Sequence, residues 1–75
     1  MKYELIREIF NKCSGNQMRD VFVSEVECEN TDDYVRQFLV GGDKSMEKSV
    51  DGNGALIYDL IIDGLHQRLA FTAAD

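Results

Sequence analysis

The sequence predicts an α+β fold, a small antiparallel sheet of three to four strands with two helices packed on one face, in the order α-β-α-(β)-β-β. Three observations predict it. Two segments carry apolar residues at helical spacing. A third alternates apolar with acidic residues, and two closing apolar runs are joined by Asp63-Gly64.

Residues 2–13 read as the first helix. Leu5, Ile6, Ile9, Phe10 and Cys13 fall at i, i+1, i+4, i+5 and i+8, one apolar stripe at period 3.6. Glu4, Arg7 and Glu8 lie on the wet side, and Glu8 with Lys12 is a favourable i,i+4 pair. Ser14-Gly15-Asn16 ends this helix, with Gly15 placed to take the left-handed position after the last turn. Val21 to Cys28 then changes period. It is rich in β-branched residues, and its second half sets Val26 and Cys28 on one side against Glu25 and Glu27 on the other. This is a strand with one wet face, Phe22, Ser24, Val26 and Cys28 sharing the dry one.

The second helix begins at Asn30 or Thr31, either of which can cap it, with Asp32 and Asp33 in the first turn where the helix dipole favours negative charge. Tyr34, Val35, Phe38 and Leu39 supply its apolar stripe and Gly41-Gly42 ends it. At the other end of the chain, Leu56 to Ile62 and Leu65 to Thr72 are strands joined by a two-residue type I′ turn. That turn sets Ile62 opposite Leu65, and from there Asp59 opposite Arg68, Tyr58 opposite Leu69 and Leu56 opposite Phe71. The register makes chemical sense, with only Gln67 interrupting the apolar face. Asp51-Gly52-Asn53-Gly54 marks a further turn, so Met46 to Val50 forms a short strand beside residues 56–60. An odd loop or a glycine bulge between them puts Met46 and Val50 on the core face, where an even loop would bury Glu47 and Ser49.

At 75 residues the chain is expected to form one domain, 1–75, with no room for a second core. Fourteen acids against eight lysines and arginines give a charge of −6, which argues against direct nucleic-acid binding and against a polybasic membrane surface. The first residues, Met1-Lys2-Tyr3-Glu4-Leu5-Ile6-Arg7-Glu8, interleave charges too closely for a secretory signal, and no apolar run is long enough to span a bilayer. Two cysteines allow one disulfide at most, so a cytoplasmic protein with free thiols is expected.

No catalytic signature is present, and neither an enzyme nor a cofactor is expected. Cys13 and Cys28, at a spacing that matches no standard zinc site, read as small core hydrophobes, with a thiol-dependent redox or metal accessory as one alternative function. Asp51-x-Asn53 opens like a calcium loop, but its sixth and twelfth positions are Leu56 and Ile62, so that motif fails. His66, set opposite Ile61, reads as a solvent-facing strand histidine. The acidic run from Glu25 to Asp33 is more informative. Asp32 and Asp33 are explained by the helix start, whereas Glu25, Glu27 and Glu29 project to one side of a strand and repel unless bases offset them.

Two contact surfaces follow: Glu25, Glu27 and Glu29 on the acidic strand, and Ile57, Ile61 and His66 on the outer face of the last hairpin. The expected function is non-catalytic contact with a protein partner, or self-association by a homodimer through the outer face or through an uncovered edge at Leu65 to Thr72. A further alternative is an acidic mimic that occupies the basic groove of a nucleic-acid-binding protein.

Overall fold

The computed structural model describes residues 1–13 and 16–74, and the side chains of residues 1–10 and 20–74. Its elements are β1 (Lys2–Cys13), β2 (Asn16–Glu27), α1 (Thr31–Arg36), β3 (Lys44–Val50), β4 (Leu56–Ile62) and β5 (Leu65–Ala73). The strands form one antiparallel sheet in the order β2-β1-β5-β4-β3.

The closing hairpin forms as its turn chemistry dictates. Asp63 and Gly64 both adopt positive φ, 50° and 84°, as a type I′ turn requires. Ile62 pairs with Leu65, Asp59 with Arg68, Tyr58 with Leu69 and Leu56 with Phe71. β3 lies beside β4 with Val50 opposite Leu56 and Met46 opposite Leu60, so the intervening loop is odd in length, but on this edge strand both residues stay exposed rather than entering the core. Asp51 shapes that loop, its Oδ1 accepting from the backbone N–H of Asn53 at 2.8 Å and of Ala55 at 2.9 Å.

The first third of the chain overturns the α+β expectation. The fold is mostly sheet, with five strands and one short helix among the described residues, rather than two helices on a sheet of three or four. Residues 2–13 are a strand, β1, inserted between β2 and β5. The reason lies in the doublets Leu5-Ile6 and Ile9-Phe10. Such pairs fit a helical stripe, but they equally supply one apolar residue to each face of a central strand. In β1, Tyr3, Leu5, Arg7 and Ile9 point to one face, and Glu4, Ile6, Glu8 and Phe10 to the other. The β-favouring Tyr3, Ile6, Ile9 and Phe10 agree with that outcome. The stop expected at Ser14 and Gly15 falls outside the described residues. β2 exists where the alternation placed a strand, but it is longer, and Phe22 on its expected dry face is exposed.

One face of the sheet carries the core. Leu5, Tyr58, Leu60, Leu69 and Phe71 are buried there beneath Val35 of α1, with Tyr3, Val26, Phe38 and Leu39 packed around them. Phe71 is the hub. Its ring meets those of Tyr3, Tyr34 and Tyr58 edge-on, at centroid distances of 6.0, 5.8 and 5.6 Å. α1 starts as expected, the Asn30 side chain accepting from the Asp32 N–H at 2.9 Å. Arg7, on the same face, reaches the buried Gln67 through Nε at 3.2 Å and Nη2 at 3.0 Å and lays its guanidinium over Phe38. A six-residue helix covers only the middle of one face. No helix among the described residues is long and apolar enough to cross a membrane.

Candidate functional site

No helix of the described residues lies on the opposite face of the sheet, and the pairing register arranges its side chains in rows that cross the strands. Val23, Ile6, Ala70 and Ile57 are successive partners in β2, β1, β5 and β4, forming an apolar row four strands wide. Beside it runs a second row, Val21, Glu8, Arg68, Asp59 and Glu47. Phe10, His66, Ile61 and Ser45 make a third. On the far side of the apolar row, Glu25 and Glu4 are partners, and Glu4 faces Thr72. Neighbouring residues within a row are about 4.8 Å apart and adjacent rows about 6.6 Å apart.

Two surfaces that the sequence presents as separate thus share one face. Glu25 and Glu27 belong to it, as do Ile57, Ile61 and His66. Glu29 does not. It follows the end of β2 and sits beside Asn30 and Asp33 at the entry to α1. The repulsion expected along the acidic strand is partly offset, because Lys2 of β1 reaches Glu25 at 3.9 Å. The edge expected at Leu65 to Thr72 is not open, since β5 lies between β1 and β4. The open edges are β2 and β3.

His66 is less solitary than its cross-strand partner suggests. Asp59 Oδ1 accepts from His66 Nε2 and from Arg68 Nε, both at 2.9 Å, one contact straight across the strands and the other on the diagonal. Phe10 stacks on the imidazole at 4.6 Å, and the Arg68 guanidinium lies 5.6 Å from the same phenylalanine ring. The direct strand partners of His66 are Phe10 and Ile61, both apolar, so the imidazole joins the Asp59–Arg68 hydrogen-bonded pair on an apolar bed. Burial pulls the Asp59 carboxyl upward, but hydrogen bonds from His66 and Arg68 outweigh it and hold the group below its ordinary 3.8.

A second polar cluster pins the helix to the sheet on the covered face. The Tyr58 hydroxyl donates to Asp32 Oδ1 and lies 2.7 Å from Thr31 Oγ1. Lys48 Nζ reaches Asp32 at 3.1 Å and sits over the Tyr58 ring. Burial first, then the bond to Asp32, pushes the Tyr58 phenol up. A phenol kept protonated is a donor and not a base, so this cluster is an anchor. The Tyr58 hydrogen bond and that of Lys48 hold Asp32 below its ordinary value.

No family model, curated protein or solved structure matches this chain.

The two cysteines do not meet. Cys13 pairs with Asn16 at one end of the β1–β2 hairpin, and Cys28 bonds through its N–H to Met1 at the other, about 40 Å away at strand rise. A disulfide needs Cα atoms within about 7 Å. Cys28 is a free, half-buried thiol. Among the described residues no group of three metal-ligating side chains comes together.

The two depressed carboxyls set an expectation for acid. A carboxyl with a lowered folded pKa contributes stability above its unfolded value, here 3.8, and loses it as pH falls through the folded one. Urea midpoints are expected to hold steady down to about pH 4.5 and fall below it. Changing Asp32 and Asp59 together to Asn should lower the neutral midpoint and flatten the acid limb. An unchanged acid limb in that variant would show that neither pair carries the dependence.

Proposed function

We propose that this chain is a small, non-catalytic cytoplasmic binding module that meets a protein partner through the helix-free face of its sheet. The observation that carries this reading is the apolar row Val23–Ile6–Ala70–Ile57, running across four strands on a face that no helix of the described residues covers. Ile61, 48 % exposed, lies beyond the charged row, beside the Phe10–His66 stack. A sheet face of about 24 by 25 Å amounts to about 600 Å² per partner, the low end of a specific interface. Glu4, Glu25, Glu27 and Glu47 rim the apolar centre, so the complementary surface is apolar in the middle and basic at its margin.

An acidic mimic of a nucleic acid fits this face less well. Its centre is apolar, and Lys2 and Arg68 stand among the acids. The test is capture from native extract with the wild-type chain, with Ile57→Lys and with Val40→Lys, Val40 being a 66 % exposed residue on the loop after α1. A discrete partner held by wild type and Val40→Lys but lost from Ile57→Lys supports the reading. A partner that Ile57→Lys retains and that Glu25→Gln/Glu27→Gln releases would overturn it in favour of the mimic.

A further inference from the structure

The edge strand β2 carries a feature the open face does not account for. Val21, Phe22 and Val23 are consecutive and 50 %, 54 % and 65 % exposed. Consecutive strand residues point to opposite faces, so Val21 and Val23 lie on the helix-free side and Phe22 on the helix side. A partner lying on the helix-free face covers the two valines and leaves the phenylalanine in water. A strand added alongside β2 flanks all three.

The two open edges of the sheet are also built differently. β3 carries Lys44, Glu47 and Lys48 along seven exposed residues, the charged edge by which sheets deter a neighbour. β2 has no lysine, and its four charged positions, 19, 20, 25 and 27, flank the uncharged run Val21-Phe22-Val23-Ser24. It is the longer edge, at twelve residues against seven.

We infer that β2 pairs antiparallel with β2 of a second copy of this chain, about a two-fold axis at Phe22. The axis stands normal to the sheet, so paired residues must share a face and the centre must fall on a residue. Centring on Phe22 sets Val21 of one copy opposite Val23 of the other, Asp20 opposite Ser24, and Glu25 opposite position 19, an arginine. Centring on Val21 instead sets Asp20 against Phe22, and centring on Val23 sets Val21 against Glu25. Of these, only the Phe22 centre matches apolar with apolar and acid with base, and it does so twice by symmetry. It also engages positions 17–27, nearly the whole strand. Pairing of that length supplies about ten main-chain hydrogen bonds, as many as a standard interface carries.

The product is a continuous ten-stranded sheet. Because the axis keeps faces on the same side, the two helix-free faces join into one surface about 48 Å wide. This inference does not depend on the proposed partner, and either can fail alone.

Sedimentation equilibrium across the micromolar range tests it. The wild type is expected at twice its 8.5 kDa chain mass. Val23→Lys places a lysine in the apolar run of the edge and should sediment as a folded monomer, whereas Ile57→Lys should remain a dimer. Glu25→Arg brings like charges together at two symmetric positions and should weaken association on the order of tenfold. Glu25→Arg combined with Arg19→Glu should restore it. Hydrogen exchange supplies a second measurement, with the amides of Val21 to Ser24 gaining protection as wild-type concentration rises. A wild type that stays monomeric, a dimer that survives Val23→Lys, or a charge swap that restores nothing would each overturn the pairing.

Discussion

Phe71→Ala is expected to remove about 3–5 kcal/mol of folding stability, the range for emptying a buried aromatic site. The residue is 1 % exposed, and three tyrosine rings stand edge-on around it. Those rings come from β1, β4 and the α1 segment, so the cavity cannot close without shifting three elements. A chain of 75 residues at the usual stability per residue has about 4–11 kcal/mol in all. The variant should therefore lose between about a quarter and all of its stability, and unfold at a clearly lower urea midpoint. Urea unfolding followed by circular dichroism measures this, with Phe71→Leu as a partner variant that keeps much of the volume and should lose less. A loss below about 1 kcal/mol would mean that the ring cluster does not organise the core.

That cluster also shows which parts of the fold are legible in the sequence. Asp63-Gly64 sets the pairing of β4 and β5 because turn chemistry and side-chain alternation are local and agree. The register that follows from this turn is enough to put Tyr58, Leu69 and Phe71 on one face. Residues 2–13 are not legible in the same way. Leu5-Ile6 and Ile9-Phe10 fit either period, and only the neighbours decide between them. With β2 and β5 on its flanks, β1 gains hydrogen bonds on both edges and buries residues on both faces, a tertiary gain that no local count registers.

The ambiguity at β1 reaches as far as the site. As a helix, residues 2–13 would hold Ile6 and Phe10 in a buried stripe, and the row Val23–Ile6–Ala70–Ile57 would lack its second member. The outer residues of the last hairpin and the glutamates of β2 would then be two surfaces. A strand between them makes them one. The His66–Asp59 contact is within reach of the hairpin register alone, since a diagonal neighbour two residues along is close enough for long side chains. The exposure of Phe22 is not, because it depends on β2 being an edge rather than on any property of its own sequence.

Tyr58→Phe tests what holds α1 in place. The change keeps the ring that packs on Phe71 and removes only the hydroxyl. Thr31, 6 % exposed, then keeps a hydroxyl in a dry site without its partner, and Asp32 loses one of its two side-chain donors. A buried polar group left unpaired costs about 1–3 kcal/mol. Because α1 has only six residues, its own propensity does not hold it, and the cost should fall on the helix first. Amides of Tyr34 to Gln37 are expected to lose exchange protection before those of β4 and β5. Adding Thr31→Val to Tyr58→Phe removes the orphaned hydroxyl, so the pair should cost less than the sum of the single changes. The Asp32 carboxyl offers an independent reading. Its strongest lowering influence is the Tyr58 hydrogen bond, so in Tyr58→Phe it should titrate closer to its ordinary value, with Lys48 retaining part of the effect. An Asp32 titration unmoved by the variant, together with uniform loss of protection across the sheet, would show that the tyrosine contributes by packing and that its hydroxyl does not anchor the helix.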